Sequence, residues 1–215
     1  MALKQCVMCV TPCFSMTSSA DYQTAIEVIE KHGVTHITHC FNAMSGLHQR
    51  RPGIVGAALD TSVNCELIAD NIHVDPAAQR ILYHAKEGRN IILVTDSMRA
   101  AGMGSGVFEL GGQEVTVEGA RAELSDGTLA GSVLAMNQAV KNFAKTTRAP
   151  LERVVEMVTR TPAEELGIYG ETGSLEEEKR ADLTLFDEDM MIAATIVGGH
   201  LAYIASPDAL NGAWQ

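Results

Sequence analysis

Residues 38–53 bring together side chains that could hold a metal ion and an anion. They read THCFNAM and, a few residues later, RRPG. His39 follows an apolar stretch, and a histidine at a strand end is a natural ligand for a divalent metal. Arg50 begins a Pro-Gly turn, and together with the backbone amides of Asn42 and Ala43 it could bind an anion. This spacing therefore suggests a metal ligand next to an anion site.

Two further polar residues follow apolar stretches downstream, His73 in IHV and Asp96 at the end of NIILVTD. An imidazole can donate a hydrogen bond to a phosphate oxygen, as a guanidinium can. A carboxylate beside a cation can take a proton from a bound water and return it to a leaving group. His73 and Asp96 are therefore two further candidates for a polar site beside His39 and Arg50.

Each of these residues also has an ordinary structural explanation. His39 could be packed at a strand end, and Asp96 could cap the turn that follows it. Arg50 could be a solvated surface residue, and His73 could simply flank the helix that begins after it. No single residue decides between the two interpretations; the order of the motifs has to.

That order resembles the N-acetylglucosamine-6-phosphate deacetylases of the amidohydrolase superfamily, over about residues 20–204. The resemblance implies hydrolysis of N-acetyl-D-glucosamine 6-phosphate to glucosamine 6-phosphate and acetate, in amino-sugar catabolism. It implies that His39 binds a divalent metal ion, zinc or iron, and that Asp96 is the general acid/base. The substrate-binding positions that it implies are Asn42, Ala43, Arg50, His73 and Leu129.

Leu129 belongs to the stretch DGTLAGS at residues 126–132. The resemblance implies that this stretch lies against the acyl group of the substrate, and a flexible turn before a helix explains it nearly as well. Two positions depart from the family pattern: Arg51 stands where a glutamate is usual, and Glu178 stands where a glycine is usual. Arg51 makes the predicted anion site more positive.

Several metal ligands implied by the resemblance have no counterpart in this sequence. The family carries a His-x-His strand and a glutamate upstream of the THCFNAM region, and a further histidine where this sequence has Thr17 or Ser18. Hydroxyl groups are poor replacements for imidazole on such an ion. A second hypothesis is therefore a catalytically inactive sugar-phosphate-binding or assembly fragment of the same family. A third, an amidohydrolase that opens a ring amide, fits the Asn-Ala corner and Arg50 less well.

The elements that must position these residues alternate between strand and helix patterns. Apolar stretches predict strands at 7–10, 34–39, 65–69 and 91–94, and such alternation is typical of a parallel α/β sheet. Between them, Ser18 or Asp21 begins a helix that Gly33 ends, and Asp75-Pro76 begins another that Gly88 ends. The buried stripe of the second helix is predicted from three residues: Ile81, Leu82 and Ala85.

The resemblance makes this sheet part of a (β/α)8 barrel, roughly its last four strands, within a unit spanning residues 1–168. A glycine-rich excursion with a hairpin is expected at about 101–132, and helices at 132–145, 151–159 and from Thr161-Pro162. Residues 169–215 are expected to form a small β-domain segment with strands near 173–175, 181–183 and 196–203.

Composition limits the partners and the setting. The net charge of −11 argues against nucleic acid and anionic membrane surfaces, which would repel this chain. Five cysteines, an odd number, and the lack of a convincing secretory signal favour a reducing cytoplasm. Cys6, Cys9 and Cys13 lack a fourth ligand, which favours incidental thiols over a metal cluster. Open sheet edges predict a homodimer or a complementing amino-terminal chain.

Overall fold

The computed structural model describes residues 14–16 and 19–206. The predicted strand at 7–10, the three cysteines Cys6, Cys9 and Cys13, and the Thr17–Ser18 position lie outside these residues. The strands are β1 (Phe14–Met16), β2 (Val34–Ile37), β3 (Asn64–Ile68), β4 (Ile91–Val94), β5 (Gly106–Leu110), β6 (Gln113–Glu118), β7 (Arg121–Leu124), β8 (Leu183–Phe186), β9 (Ile192–Val197) and β10 (His200–Ile204). The helices are α1 (Tyr22–His32), α2 (Gly53–Asp60), α3 (Pro76–Ala85), α4 (Met136–Thr147), α5 (Leu151–Glu156) and α6 (Arg160–Glu165).

Strands β1 to β4 form a parallel sheet in chain order, with a helix between each successive pair. In β4, Ile91, Ile92 and Leu93 are all buried, as an apolar run in a parallel strand requires. The predicted parallel α/β sheet is therefore confirmed. The carboxyl ends of its strands lie on the same side of the sheet. The polar residues of interest follow β2, β3 and β4 on that side.

The main core lies between this sheet and its helices. Ile37, Leu67 and Leu93 from three neighbouring strands are almost fully buried in it. From the helix side, Phe143 is completely buried and meets the Tyr83 ring edge-on at 6.0 Å between centroids. Truncating such a residue to alanine typically costs about 3–5 kcal/mol. This packing holds the strand ends at fixed positions.

Helix α3 begins as predicted, with the Asp75 carboxylate accepting from the Ala77 amide at 2.7 Å and proline in the first turn. Its predicted buried stripe is partly wrong. Leu82 is buried, but Ile81 is 56% exposed and Ala85 is also exposed. The buried face instead includes Gln79 and Leu82, which are three residues apart and so lie on one side of the helix.

Lys86, directly after α3, is a buried charge that ties this helix to the sheet. Its ammonium donates to the carbonyls of Thr61 (2.8 Å) and Val63 (2.7 Å). Burial holds the pKa of Lys86 below its usual value. The two carbonyls lie just before β3, so the lysine fixes where that strand starts.

Several predicted boundaries need correction. Strand β2 ends at Ile37, so His39 lies in the following turn rather than in the strand, because its φ of 33° cannot continue a strand. The helix predicted at 132–145 begins at Met136, since Ser132 and Leu134 are hydrogen-bonded to residues that follow β4 instead. The helix predicted at 151–159 ends at Glu156, and residues 173–175 form no strand.

The excursion at 101–132 contains the predicted hairpin of β5 and β6 and also a third antiparallel strand, β7. Val115, Val117 and Ala122 form a small buried cluster of its own. The sequence pattern missed β7 because its residues, RAEL, carry little strand signal.

Strands β8, β9 and β10 form a second antiparallel sheet, and the stretch predicted as one strand at 196–203 is in fact a hairpin turning at Gly198–Gly199. Glu178, where the resemblance implies glycine, keeps the left-handed backbone that glycine favours, with a φ of 71°. Among the described residues, no helix is both long and apolar enough to cross a membrane.

Candidate functional site

The polar residues of interest follow three adjacent parallel strands, His39 after β2, His73 after β3 and Asp96 after β4. Left-handed backbone recurs in the same places: His39 (φ 33°), Ala43 (φ 56°) and Asp96 (φ 47°). Such conformations are costly for residues other than glycine and concentrate at functional sites. The segments that follow these strands therefore combine reactive polar side chains with strained backbone conformations.

The imidazole of His39 has a buried Nδ1 with no hydrogen-bond partner among the described residues. The turn that carries it is anchored to the neighbouring strand, since the Cys40 amide donates to the Glu66 carbonyl at 2.7 Å. A buried ring nitrogen without a partner is unusual and costs free energy. His39 Nδ1 is therefore a buried polar atom that a ligand could bind.

The described residues alone do not form a complete metal site. Within 14–16 and 19–206, no three His, Cys, Asp or Glu side chains are close enough together to hold a metal ion. His39 is the one predicted protein ligand, whereas catalytic zinc sites use about three. The position at Thr17 or Ser18, implied by the resemblance to be a ligand position, lies outside the described residues. The metal-ligand role of His39 thus stays a prediction.

The corner at Asn42 and Ala43 differs from the predicted pair of free amides. The Asn42 amide donates to the His39 carbonyl at 3.0 Å, and the Asn42 side-chain nitrogen faces the same oxygen at 3.4 Å. The Asn42 amide is therefore engaged in the turn. Asn42 shapes the corner, and Ala43 is the residue of the two whose amide stays a candidate for an anion.

Arg50 and Arg51 lie exposed at the start of α2. The Arg50 amide donates to His48 Nδ1 (3.2 Å), and the Arg51 amide donates to the His48 carbonyl (3.0 Å). Neither guanidinium forms an ion pair with an acidic side chain in the described part of the chain. Two uncompensated positive charges beside a helix amino terminus are well suited to an anion.

His73 is held by Asp70, a residue that the sequence analysis missed. His73 Nδ1 lies 2.6 Å from Asp70 Oδ2, and the two side chains are only 10% and 4% exposed. Burial raises the pKa of Asp70, but hydrogen bonds from the His73 ring and from the Ile72 and His73 amides outweigh it and hold that pKa below its usual value. The i, i+3 spacing of an aspartate and a histidine could have suggested this pair.

Asp96 is exposed, and its backbone is bound to the end of the hairpin excursion. The Ser132 amide donates to the Asp96 carbonyl at 3.1 Å, and the Ser132 carbonyl accepts from the Met98 amide at 2.9 Å. Leu129, half-buried and bridged to Glu123, comes just before this attachment. The structure thus brings the stretch at 126–132 to the strand end that carries Asp96.

A second polar group, also missed, joins β2 and β3 to helix α6. His36 Nδ1 is 3.0 Å from Glu165 and its Nε2 is 3.6 Å from Glu66. Burial raises the pKa of Glu66, and the charge of the neighbouring His36 acts against that shift. Arg50 is not joined to His73 or Asp96 by any hydrogen bond or ion pair among the described residues.

The chain is similar to known amidohydrolases in both sequence and fold. Residues 15–202 match the amidohydrolase family. The N-acetylglucosamine-6-phosphate deacetylase of Bacillus subtilis is 44% identical over 177 residues, 81% of this chain and 44% of that protein. The crystal structure of the Thermotoga maritima N-acetylglucosamine-6-phosphate deacetylase superposes with a TM-score of 0.82 at 38% identity, covering 86% of this chain and 51% of that one.

A third comparison concerns a variant of the Mycobacterium smegmatis deacetylase, solved in complex with N-acetyl-D-glucosamine-6-phosphate. It superposes with a TM-score of 0.80 at 31% identity, covering 85% of this chain and 49% of that one. This chain therefore spans about half the length of the relatives it matches.

Proposed function

The chain belongs to the amidohydrolase family, and from this premise we propose that it carries the acid/base and phosphate-binding residues of a deacetylase acting on N-acetyl-D-glucosamine 6-phosphate. The observation that carries the proposal is the placing of His39, His73 and Asp96 after three adjacent parallel strands. The likeness to deacetylases of that name supports the choice of substrate.

The proposed reaction is the hydrolysis of the acetamide of the sugar. The Asp96 carboxylate takes a proton from the attacking water, whose oxygen forms the new bond to the acyl carbon. The C–N bond then breaks, Asp96 returns the proton to the leaving amine, and acetate and the amino sugar result. Asp96 is exposed, so a substrate can reach its carboxylate. The hydrogen bond from the Ser132 amide to the Asp96 carbonyl fixes the direction of the Asp96 backbone.

Amidohydrolase-family enzymes use a divalent metal ion. We propose zinc or iron for this protein, because imidazole is a suitable ligand for either. His39 would be one ligand, and the described residues contain no group of three His, Cys, Asp or Glu side chains that would complete the set.

The proposed phosphate site consists of Arg50, His73 and the Ala43 amide, with Asn42 shaping the corner. Charge-assisted hydrogen bonds from an arginine or a protonated histidine to phosphate oxygens are about twice as strong as neutral ones. The uncompensated charges of Arg50 and Arg51 supply a local attraction in a chain whose net charge is −11. Leu129 is proposed to contact the acetyl group from the hairpin side.

The architecture we propose is the last four strands of a (β/α)8 barrel in residues 1–168 and a small β-domain segment in 169–215. Among the described residues, β1 stands at one edge of the parallel sheet and has a partner strand on one side only, whereas the β4 side is partly covered, since the Leu93 amide donates to the Met157 carbonyl. Unpaired strand edges favour association with further strands, which supports a homodimer or a complementing amino-terminal chain. The free, buried thiols of Cys40 and Cys65 support a reducing, cytoplasmic setting.

A second candidate function is sugar-phosphate binding without turnover. It is favoured by the Asp70–His73 pair, whose geometry is complete within the described residues and requires no metal. Under this candidate the chain would keep its selectivity for phosphorylated amino sugars and lose hydrolysis.

Acetate release separates the two candidates. The full chain, supplied with Zn²⁺ or Fe²⁺, is incubated with N-acetylglucosamine 6-phosphate and, as a control, with N-acetylglucosamine. The deacetylase proposal expects acetate from the phosphorylated sugar and at least about a hundredfold lower rate in Asp96→Asn, which cannot accept the proton. No acetate from the unmodified chain would overturn it in favour of binding alone.

A further inference from the structure

The loop that follows β3 holds His73 in one orientation. Asp70 Oδ1 accepts from the amides of both Ile72 and His73, each at 2.8 Å. Asp70 Oδ2, the other oxygen, lies 2.6 Å from His73 Nδ1. The carboxylate therefore has one oxygen committed to the backbone and the other to the ring.

The loop itself is anchored from two helices. The Asn142 side chain on α4 donates to the Ala69 carbonyl at 2.9 Å. Gln79 on α3, which is completely buried, donates to Asn71 Oδ1 (2.9 Å) and to the Val74 carbonyl (2.8 Å). These bonds fix the loop on both sides of Asp70. The carboxylate can therefore turn away from the ring only by breaking its own bonds to the Ile72 and His73 amides.

A carboxylate can only accept a hydrogen bond, so the ring nitrogen that faces it must carry a proton. We propose that Asp70 is a positioning residue that holds the His73 imidazole with its proton on Nδ1 and leaves Nε2 as the nitrogen that meets the phosphorylated sugar. The inference deepens the proposed function and rests on it for the identity of the ligand. It is the arrangement by which a carboxylate behind a histidine fixes the ring tautomer.

This arrangement determines how the ring can hold a phosphate. With the proton on Nδ1, Nε2 has a lone pair and donates to a phosphate oxygen only after it takes up a proton. The resulting imidazolium then lies between two anions, the Asp70 carboxylate and the phosphate, in a charge-assisted bond on each side. Asp70 thereby couples the strength of phosphate binding to a second negative charge behind the ring.

The substitution Asp70→Asn tests the tautomer directly. The two backbone amides require an acceptor at the Oδ1 position, so the amide oxygen of asparagine stays there and its NH2 group takes the place of Oδ2. An NH2 group donates, so Nδ1 must then accept and the ring proton moves to Nε2. The variant keeps the loop bonds and reverses the tautomer, an effect that a purely structural role for Asp70 does not produce.

The measurement is the long-range ¹H–¹⁵N correlation spectrum of the histidine rings, with the His73 signals assigned from His73→Gln. We expect a protonated Nδ1 in the unmodified chain when the ring is neutral, and a protonated Nε2 in Asp70→Asn. Asp75→Asn is the matched control, since Asp75 caps α3 without touching His73 and asparagine is an equally good cap. A protonated Nε2 in the unmodified chain, or an unchanged tautomer in Asp70→Asn, would overturn the proposal.

Calorimetry with glucosamine 6-phosphate tests what the free nitrogen does. Asp70→Asn is expected to weaken binding about three- to tenfold, because a neutral donor replaces a charge-assisted one. In the His73→Gln background the same change should have no further effect, since the two residues act as a unit. An additive loss would overturn the role of Asp70 in binding.

The two measurements keep the inference separate from the function on which it rests. A Nδ1 proton in a chain that binds glucosamine 6-phosphate no better than glucosamine would refute the phosphate site and leave the tautomer assignment standing. If Asp70→Asn does not fold, the spectrum of the unmodified chain still decides the tautomer.

Discussion

The Ser132 amide donates to the Asp96 carbonyl across 3.1 Å, and the Ser132 hydroxyl donates to the carbonyl of the preceding residue, Thr95. The chain leaves the sheet at Asp96, forms the three-stranded hairpin sheet, and returns to the point from which it left. Ser132 is 1% exposed and its hydroxyl also accepts from the Leu134 amide at 3.2 Å. Ser132 therefore joins the end of the 101–132 excursion to its start, at the proposed acid/base residue Asp96.

Replacing Ser132 by alanine should destabilise the protein by about 1–3 kcal/mol, because it leaves the part-buried Thr95 carbonyl and the buried Leu134 amide without their partner. Urea unfolding measures this change. Ser125→Ala, at an exposed turn of the same excursion, is the control and should stay within about 0.5 kcal/mol. Equal effects of the two substitutions would show that Ser132 does not close the loop.

Glu178→Gly should stabilise the protein by up to about 1 kcal/mol, because the steric cost of the left-handed backbone that glycine removes outweighs the entropic cost of a freer unfolded chain. The readout is the thermal unfolding midpoint. Glu177→Gly is the neighbouring control: Glu177 does not have a positive φ, so glycine there brings only the entropic cost of a freer unfolded chain. A lower midpoint for Glu178→Gly would contradict the left-handed assignment.

The His36 group predicts a dependence of stability on pH. Burial lowers the pKa of His36, but the hydrogen bond to Glu165 and the charge of Glu66 outweigh it and raise that pKa above 6.5. A raised pKa gives stability that is fully present below the unfolded value and is lost as pH rises through the folded one. The unfolding midpoints of the unmodified chain and His36→Gln should therefore differ more at about pH 6 than at about pH 8.5.

The matched control for this comparison is His200→Gln, which changes an exposed histidine on β10. It should shift the midpoint little at either pH, since its side chain is solvated. A gap between the unmodified chain and His36→Gln that widens with rising pH would reverse the sign and refute the proposed charge pairing.

Local patterns predicted much of the sheet and its helices. Asp75-Pro76 correctly predicted the start of α3, and the apolar run before Thr95 correctly predicted β4. Both predictions were possible because helix capping and burial on both faces of a strand depend on residues that are adjacent in sequence. The same patterns mislocated Ile81, whose exposure depends on which side of α3 meets the sheet. Whether a side chain is buried depends on elements that are distant in sequence and pack against it. The periodicity of the local sequence does not show which elements these are.

The site was predicted only in part, for a related reason. The order of the motifs along the chain singled out His39, His73 and Asp96, which the structure places after three adjacent strands. Asp70 was missed although it directs His73, and Ser132 was missed as the residue that binds Asp96 from far along the chain. The positive φ at His39 could not be predicted either, because the surrounding structure imposes it and most histidines do not adopt it.

The central claim, a site selective for the phosphate of an amino sugar, is tested most directly by titration calorimetry of the full chain with glucosamine 6-phosphate and with glucosamine. Charge-assisted bonds of about 1.5–3 kcal/mol predict at least about tenfold tighter binding of the phosphorylated sugar. Arg50→Ala should remove most of that preference. Arg89→Ala, an exposed arginine at the opposite end of the sheet, should keep it. Equal affinity for the two sugars, or a preference that Arg50→Ala leaves intact, would contradict the account.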